Sequence, residues 1–274
     1  MGGAYRVDQP SLDGPRAKYR RACKHIETLQ REIAQFARDN PDPKVEHFDK
    51  KTGRYTLAIE FREEPDAERW GILLGDATHN LRCVLDHIVW QLVLVNGRKP
   101  GNQTQWPAAT TAERYWCPRK GGRPSVREET LRGVADEPRA VIDELQPYRA
   151  GPRMDQHFLQ LLVPLSNADK HRVVQPGFFG LDEPPEGFLA CNEDIGDMLE
   201  GTFAHGGPLS LDVNVVDCRF ELAGPNPHVQ MQGNLTLLVG FGKEGFVWNA
   251  IVDMARSVGQ VIDAFQQFFN AQEA

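Results

Sequence analysis

Apolar residues recur every three or four positions from Trp70 to Leu94, WGILLGDATHNLRCVLDHIVWQLVL, and predict a long helix around which the rest of the chain is organised. Its apolar face is Leu73, Leu74, Ala77, Leu81, Val84, Leu85, Ile88 and Leu92. The opposite face carries Asp76, His79, Asn80, Cys83, His87 and Trp90, with Arg82 and Asp86 at its margin, and the stretch contains neither Lys nor Glu. Large or soft side chains seek cover. Both faces are therefore expected to be covered, one by core and the other by a polar cleft.

The same periodicity predicts a first helix over about Pro15–Arg38, with Ala22, Ile26, Leu29, Ile33 and Phe36 on one side. Asp13-Gly-Pro15 starts it and Asn40-Pro41 ends it. Alternation over 44–48 and 54–61, around the Gly-containing turn 49–53, reads as a hairpin. A hairpin alone is marginal in water, so it should lie on the helices or join a larger sheet. Helices resume at about 127–133, 137–145 and 154–165. After Pro176 the pattern turns to β, at 177–180, 187–191, 209–216, 219–222 and 229–239, where Leu211, Val213 and Val215 alternate with Asp212 and Asn214. A closing helix over about 246–270 aligns Val247, Ile251, Met254, Val258, Ile262, Phe265 and Phe269, and should pack back on the first and central helices. Helices and strands are segregated, which indicates an α+β fold: a helical bundle with an N-terminal hairpin and a small C-terminal antiparallel sheet. The expected organisation is a single domain over 1–274, with a helical core of about 14–176 and 246–271 and a β lobe of about 177–245.

Composition narrows the function classes. With 274 residues and 41% hydrophobic content, a sizeable core is affordable in size, and the net charge of −7 argues against nonspecific coating of nucleic acid while leaving room for a local basic patch. Such a patch occurs at 96–127, where seven Lys and Arg face Glu113 alone and are interleaved with Trp106, Tyr115 and Trp116. It reads either as a nucleic-acid contact in which the aromatics stack on bases, or as a loop that its aromatics anchor to the core. The Arg16, Lys18, Arg20, Arg21 and Lys24 run of the first helix reads as a solvated face, with a nucleic-acid contact as the alternative. Five scattered cysteines without a CxxC pair fit a reduced protein lacking a disulfide framework or structural zinc. With no apolar leader and no run of 18 apolar residues, the chain is expected to be cytoplasmic and to make no membrane contact.

Two clusters have the residue types for chemistry. In Arg82-Cys-Val-Leu-Asp-His87, Arg82 is suited to holding a phosphate and His87 to moving a proton at a ribose hydroxyl, with Asp86 or Asn80 to orient it. The two are about 140° apart on the helix and would converge only at its edge. The structural alternative is an Arg82–Asp86 pair beside a core histidine. In Asn167-Ala-Asp169-Lys170-His171-Arg172, five polar residues follow an apolar run. They either cap a following turn or form a wall of a cleft shared with Asp76, Asn80 and His87. A third reading places a metal on Asp76 and His79 with Asp169 or His171, but His87 lies about 16 Å along the helix from Asp76, and no HExxH or ExxH motif is present. Phosphate-loop, dinucleotide-binding and nucleophile-elbow motifs are absent.

The Arg-x4-His spacing on a helix of a helical bundle resembles the HEPN family, and GDATHNLRCVLDHIVWQL and LSNADKHR resemble a group of uncharacterised bacterial and phage-borne proteins. The resemblance implies a bundle, often dimeric, and a metal-independent ribonuclease of toxin or defence type with Arg82 and His87 as its catalytic pair and no cofactor. The residue after Arg82 is Cys83, where the family commonly has a polar residue, and the β lobe is additional. Binding residues expected around the pair are Asp76, His79, Asn80, Asn167, Asp169, Lys170, His171 and Arg172, with RNA and a second copy of the chain as partners. The competing reading is a non-catalytic interaction protein in which these polar residues form a buried structural network. A metal-dependent hydrolase is a third.

Overall fold

The computed structural model describes residues 9–41, 43–169, 176–179, 189–203, 208–209, 216–231, 238–241 and 246–270. Helix makes up 55% and strand 17%, so helices dominate an α+β fold, as the segregation of elements predicts. The chain forms two compact units. The first comprises 1–28, 72–174 and 249–274, and the second 29–71 and 175–248, the boundaries falling within the first and the central helix.

The first unit is built on α1 (Asp13–Asp39) and α2 (Ala67–Val95), the predicted first and central helices. Leu74, Leu81, Val84, Leu85, Ile88 and Leu92 of α2 are buried, as the periodicity requires. Its other face is not covered in the way expected. Ile72 is 48% and Trp90 43% exposed, and Asp76, His79 and His87 are also exposed. Short helices α3 (Ala112–Trp116), α4 (Val126–Thr130) and α5 (Asp136–Glu144) lead through a 3-10 segment, Pro147–Gln156, into α6 (Phe158–Asp169). Ser125 and Glu128 close a reciprocal capping box that starts α4. The predicted closing helix is α7 (Trp248–Phe265) followed by the single turn α8 (Gln267–Asn270). Gly259 in α7 lets α1 come close: a methyl group there would lie 2.6 Å from the Tyr19 hydroxyl oxygen. Arg16 donates to Gln266 Oε1 at 2.7 Å, a second tie between α1 and the C-terminal helices.

The second unit carries a four-stranded antiparallel sheet. The hairpin β1 (Lys44–Asp49) and β2 (Arg54–Ile59) is joined through β2 to β7 (Val216–Leu222), and β5 (Ile195–Phe203) closes the order β1-β2-β7-β5. The N-terminal hairpin is thus part of the same sheet as C-terminal strands rather than a separate feature of the bundle. Register aligns Tyr55 with Cys218 and Leu57 with Val216, so the inward residues of both strands enter one core with Ile59, Phe220, Val229 and Met231. Strand β5 was not predicted: IGDMLEGTF has no clean alternation, and its register slips between Ile195 and Met198 and again before Glu200. A second antiparallel sheet contains β3 (Pro176–Phe179), β6 (Pro208–Leu209), β9 (Leu238–Phe241) and β10 (Phe246–Val247), and β4 (Leu189–Cys191) pairs with β8 (Val229–Met231). The alternating stretch 211–215 lies outside the described residues. Among the described residues no helix is long and apolar enough to cross a membrane.

Candidate functional site: two clefts on the central helix

Helix α2 lines two clefts within the first unit. The first is a groove of about 460 Å³ between α1 and α2, open to solvent. Gly14, Lys18, Arg21 and His25 line it from α1 at intervals of four, three and four residues, which places them on one helix face. Asp76, Asn80 and His87 line it from α2. The helices run antiparallel along it. A methyl group at Gly14 would lie 3.7 Å from His87 Nδ1, and His25 Nε2 is 3.9 Å from Asp76 Oδ2 at the other end. Ser11 N donates to Gln91 Oε1 at 3.1 Å and pins the start of α1 against α2. Eleven residues of helix separate the two ends on either side, about 16 Å.

Both imidazoles in this groove are held below their usual pKa. For His87 the cause is loss of water around the ring, reinforced by the Lys18 ammonium and opposed by Asp86. For His25 it is also burial, with Asp76 opposing and Arg21 adding. Both rings are therefore neutral at pH 7 and able to accept a proton. Asn80 Nδ2 donates to the Asp76 carbonyl one turn back, at 2.7 Å.

The second cleft, about 330 Å³, takes Arg82 and Asp86 from α2, residues 105–108, Arg114 and Arg119 from the basic loop, Glu129 and Thr130 from α4, and Ser166 and Asn167 from α6. Arg82 Nη2 donates to the Trp106 carbonyl at 2.6 Å and lies 3.1 Å from Asp86 Oδ1. That same carboxylate oxygen accepts from Trp106 N at 2.9 Å. One ion pair thus satisfies both backbone groups of a fully buried tryptophan.

The structure therefore divides the predicted residues. Arg82 and Asp86 line one cleft and His87 the other, because five residues on a helix turn the side chains about 140° apart. The wall expected opposite Asp76, Asn80 and His87 is supplied by α1. Asn167, with Ser166, faces Arg82 and Asp86 instead. His79 lines neither cleft and its Nε2 lies 3.5 Å from Cys83 Sγ. Asp169 is described by its backbone alone, as the last residue of α6, so the segment read either as a turn cap or as a cleft wall begins inside a helix. Lys170, His171 and Arg172 lie outside the described residues. Among the described residues no three His, Cys, Asp or Glu side chains converge as a metal would require.

The basic loop is anchored by its aromatics. Trp106 and Tyr115 are fully buried, so neither can stack on a base, and Trp116 alone is exposed, beneath the Arg127 guanidinium at 4.7 Å. Gln146, itself buried, accepts from Ala109 N and donates to the Pro107 carbonyl. Arg119 and Arg123 pair with Glu129, and Arg127 with Asp143. Much of the apparent charge excess is met by acids that follow in sequence. His25 was missed as a site residue, and Lys18 and Arg21 were read first as a solvated face, with a nucleic-acid contact as the alternative. The signal that would have found them is the matching of 14, 18, 21 and 25 to 76, 80 and 87 in an antiparallel helix pair. The chain matches no family model, no curated protein and no solved structure.

Proposed function

We propose that the α1–α2 groove holds the backbone of an RNA strand and that His87 acts there in metal-independent cleavage. The observation that carries this reading is the lining of one open groove by Lys18 and Arg21 from α1 against His87 and Asn80 from α2. Two cations in a row along a groove bind successive phosphates. A neutral His87 beside Lys18 takes the proton of a ribose 2′-hydroxyl. The freed oxygen attacks the adjacent phosphorus, the bond to the 5′-oxygen breaks, and the imidazolium returns its proton to that oxygen, leaving a 2′,3′-cyclic phosphate. Lys18 offsets the charge that builds on the phosphoryl oxygens. His25 is about 16 Å away by helix rise, too far to act on the same phosphate, and is assigned to a neighbouring one.

This keeps the ribonuclease of toxin or defence type that the HEPN resemblance implies, and His87 within it. It moves the phosphate-holding role from Arg82 to Lys18 and Arg21. The Arg82–Asp86–Trp106 network favours the second reading in part: those residues hold the loop to α2, as a structural cluster would.

The test is cleavage of a mixed RNA pool in EDTA by wild type, His87→Ala, Lys18→Ala and Arg82→Ala, with folding matched by circular dichroism. Wild type should cleave despite chelation, and His87→Ala should be slower by about 10²-fold or more. Lys18→Ala should weaken RNA binding, and Arg82→Ala should lose stability more than activity per folded molecule. Absence of cleavage by wild type, or full activity in His87→Ala, would remove the enzyme reading and leave an interaction protein.

A further inference from the structure

One acid stands in the α1–α2 groove. Of the ionisable residues that line it, Lys18, Arg21, His25 and His87 are bases and Asp76 alone is a carboxylate. The Asp76 side chain is more than half exposed, and its Oδ2 is turned across the groove toward α1, 3.9 Å from His25 Nε2. The His25 ring is neutral at pH 7. Among the described residues no lysine or arginine pairs with Asp76, and no donor bonds its carboxylate. An unmatched carboxylate in a groove that takes a polyanion is unfavourable unless the ligand brings N–H groups to it. Asn80, one turn on, adds a second acceptor. Its Nδ2 donates to the Asp76 carbonyl, which fixes the carboxamide and leaves Oδ1 without a donor among the described residues.

Single-stranded RNA presents the Watson–Crick edges of its bases to a protein. Guanine offers two adjacent donors there, N1–H and the N2 amino group, which match the two oxygens of a carboxylate. Uracil offers one N–H between two carbonyls. Adenine and cytosine each offer an amino group beside a ring nitrogen that only accepts. Given the RNA binding proposed for this groove, on which this step rests, we infer that Asp76, with Asn80 beside it, reads a guanine base. The carboxylate accepts from N1–H and one N2 hydrogen, and Asn80 Oδ1 accepts from the other. Asp76 and His87 are eleven residues apart on α2, about 16 Å, so the guanine lies at a fixed offset from the reacting phosphate rather than at it. Gly14 lies by His87 and His25 by Asp76, so Lys18 and Arg21 stand between the two ends and hold the intervening backbone.

The experiment measures, by fluorescence anisotropy, the binding of labelled uridine octamers to the full-length protein carrying His87→Ala, so that cleavage does not interfere. The octamers hold a central guanosine, inosine or adenosine, or uridine throughout. The guanosine octamer should bind about tenfold tighter than the all-uridine one, as a bidentate base contact implies. Inosine, which lacks the N2 amino group, should lose most of that gain. Asp76→Asn in the same background replaces one acceptor by a donor and should move the preference from guanosine to adenosine, an outcome that mere loss of structure does not produce. Lys18→Ala should weaken all four octamers alike and keep their order, as loss of a phosphate contact does. Equal binding of the four octamers, or a guanosine preference that survives Asp76→Asn, overturns the inference and leaves the RNA groove standing. No binding of any octamer overturns both.

Discussion

Asp143 shows what one buried carboxylate organises. It is 6% exposed and accepts from the Tyr115 hydroxyl at 2.5 Å and from Arg127 at 2.8 and 2.7 Å. The consequence is visible in the partners: burial and the bond to Asp143 raise the Tyr115 pKa, and the same carboxylate raises that of Arg127. Three segments, α3, α4 and α5, are fastened at this point. Removing one member of a buried ion pair strands the other charge. Asp143→Ala should cost about 3–5 kcal/mol, read as a lower denaturant midpoint at unchanged slope. Arg69 and Glu32 form an ion pair of similar geometry, but Arg69 is more than half exposed. Arg69→Ala should therefore leave the midpoint close to that of wild type in the same titration.

At the scale of an element, the hairpin illustrates how a turn sets a sheet. Asp49 accepts from Lys51 N and the Thr52 hydroxyl, and Gly53 N returns to the Asp49 carbonyl at 2.9 Å. Gly53 has φ +71°, and Phe220 N donates to its carbonyl at 2.9 Å, so the turn is also the point where β7 docks. A methyl group at Gly53 would lie 2.3 Å from the Phe220 carbonyl oxygen. Backbone strain and collision act together, and Gly53→Ala should destabilise the protein by about 2 kcal/mol or more. Its signature should be loss of hydrogen-exchange protection in β1, β2 and β7, with α2 protected as in wild type. The other long elements owe their form to local causes: α1 begins where Pro15 is tolerated in a first turn, and α2 is held by a continuous apolar stripe.

At the scale of the whole molecule, three histidines make stability depend on pH. Loss of water around the half-buried rings lowers the pKa of His25 and His157 from 6.5, and the partial loss of water that His87 meets in its groove, with Lys18 beside it, lowers that of His87. His157 Nδ1 also accepts from Leu159 N at 3.3 Å, a bond that the charged ring cannot keep. Above pH 6.5 the rings are neutral in both the folded and the unfolded chain, and their contribution is fully present. As pH falls below 6.5 the unfolded chain takes up protons first, so stability is lost progressively down through the lowered folded values. The melting temperature should thus drop between pH 7.5 and pH 5, and His157→Gln should drop less. A melting temperature independent of pH across that window would contradict this account of the three rings.

Periodicity by itself determined the long helices and the hairpin, because burial of one face imposes a 3.6- or 2-residue repeat on the residues that make it. The fold class, the buried stripe of α2 and the presence of His87, Asp76 and Asn80 along one groove were all legible at that level. Partner choice was not. That β2 pairs with β7, some 160 residues away, leaves no local trace, since the inward residues of either strand would satisfy another neighbour equally well. Strand β5 escaped because its bulges break the alternation. The chemistry was divided for a similar reason. Arg82 and His87 are close in sequence, but α1 packs beside one and the basic loop beside the other, so each joins a different cleft. The loop's aromatics and arginines allowed either a nucleic-acid contact or an anchor to the core, and the tertiary structure places Trp106 and Tyr115 in the core and Glu129 and Asp143 against the arginines. Residue types set what chemistry was available; the packing of helices decided which groups meet, because convergence depends on neighbours that no local pattern encodes.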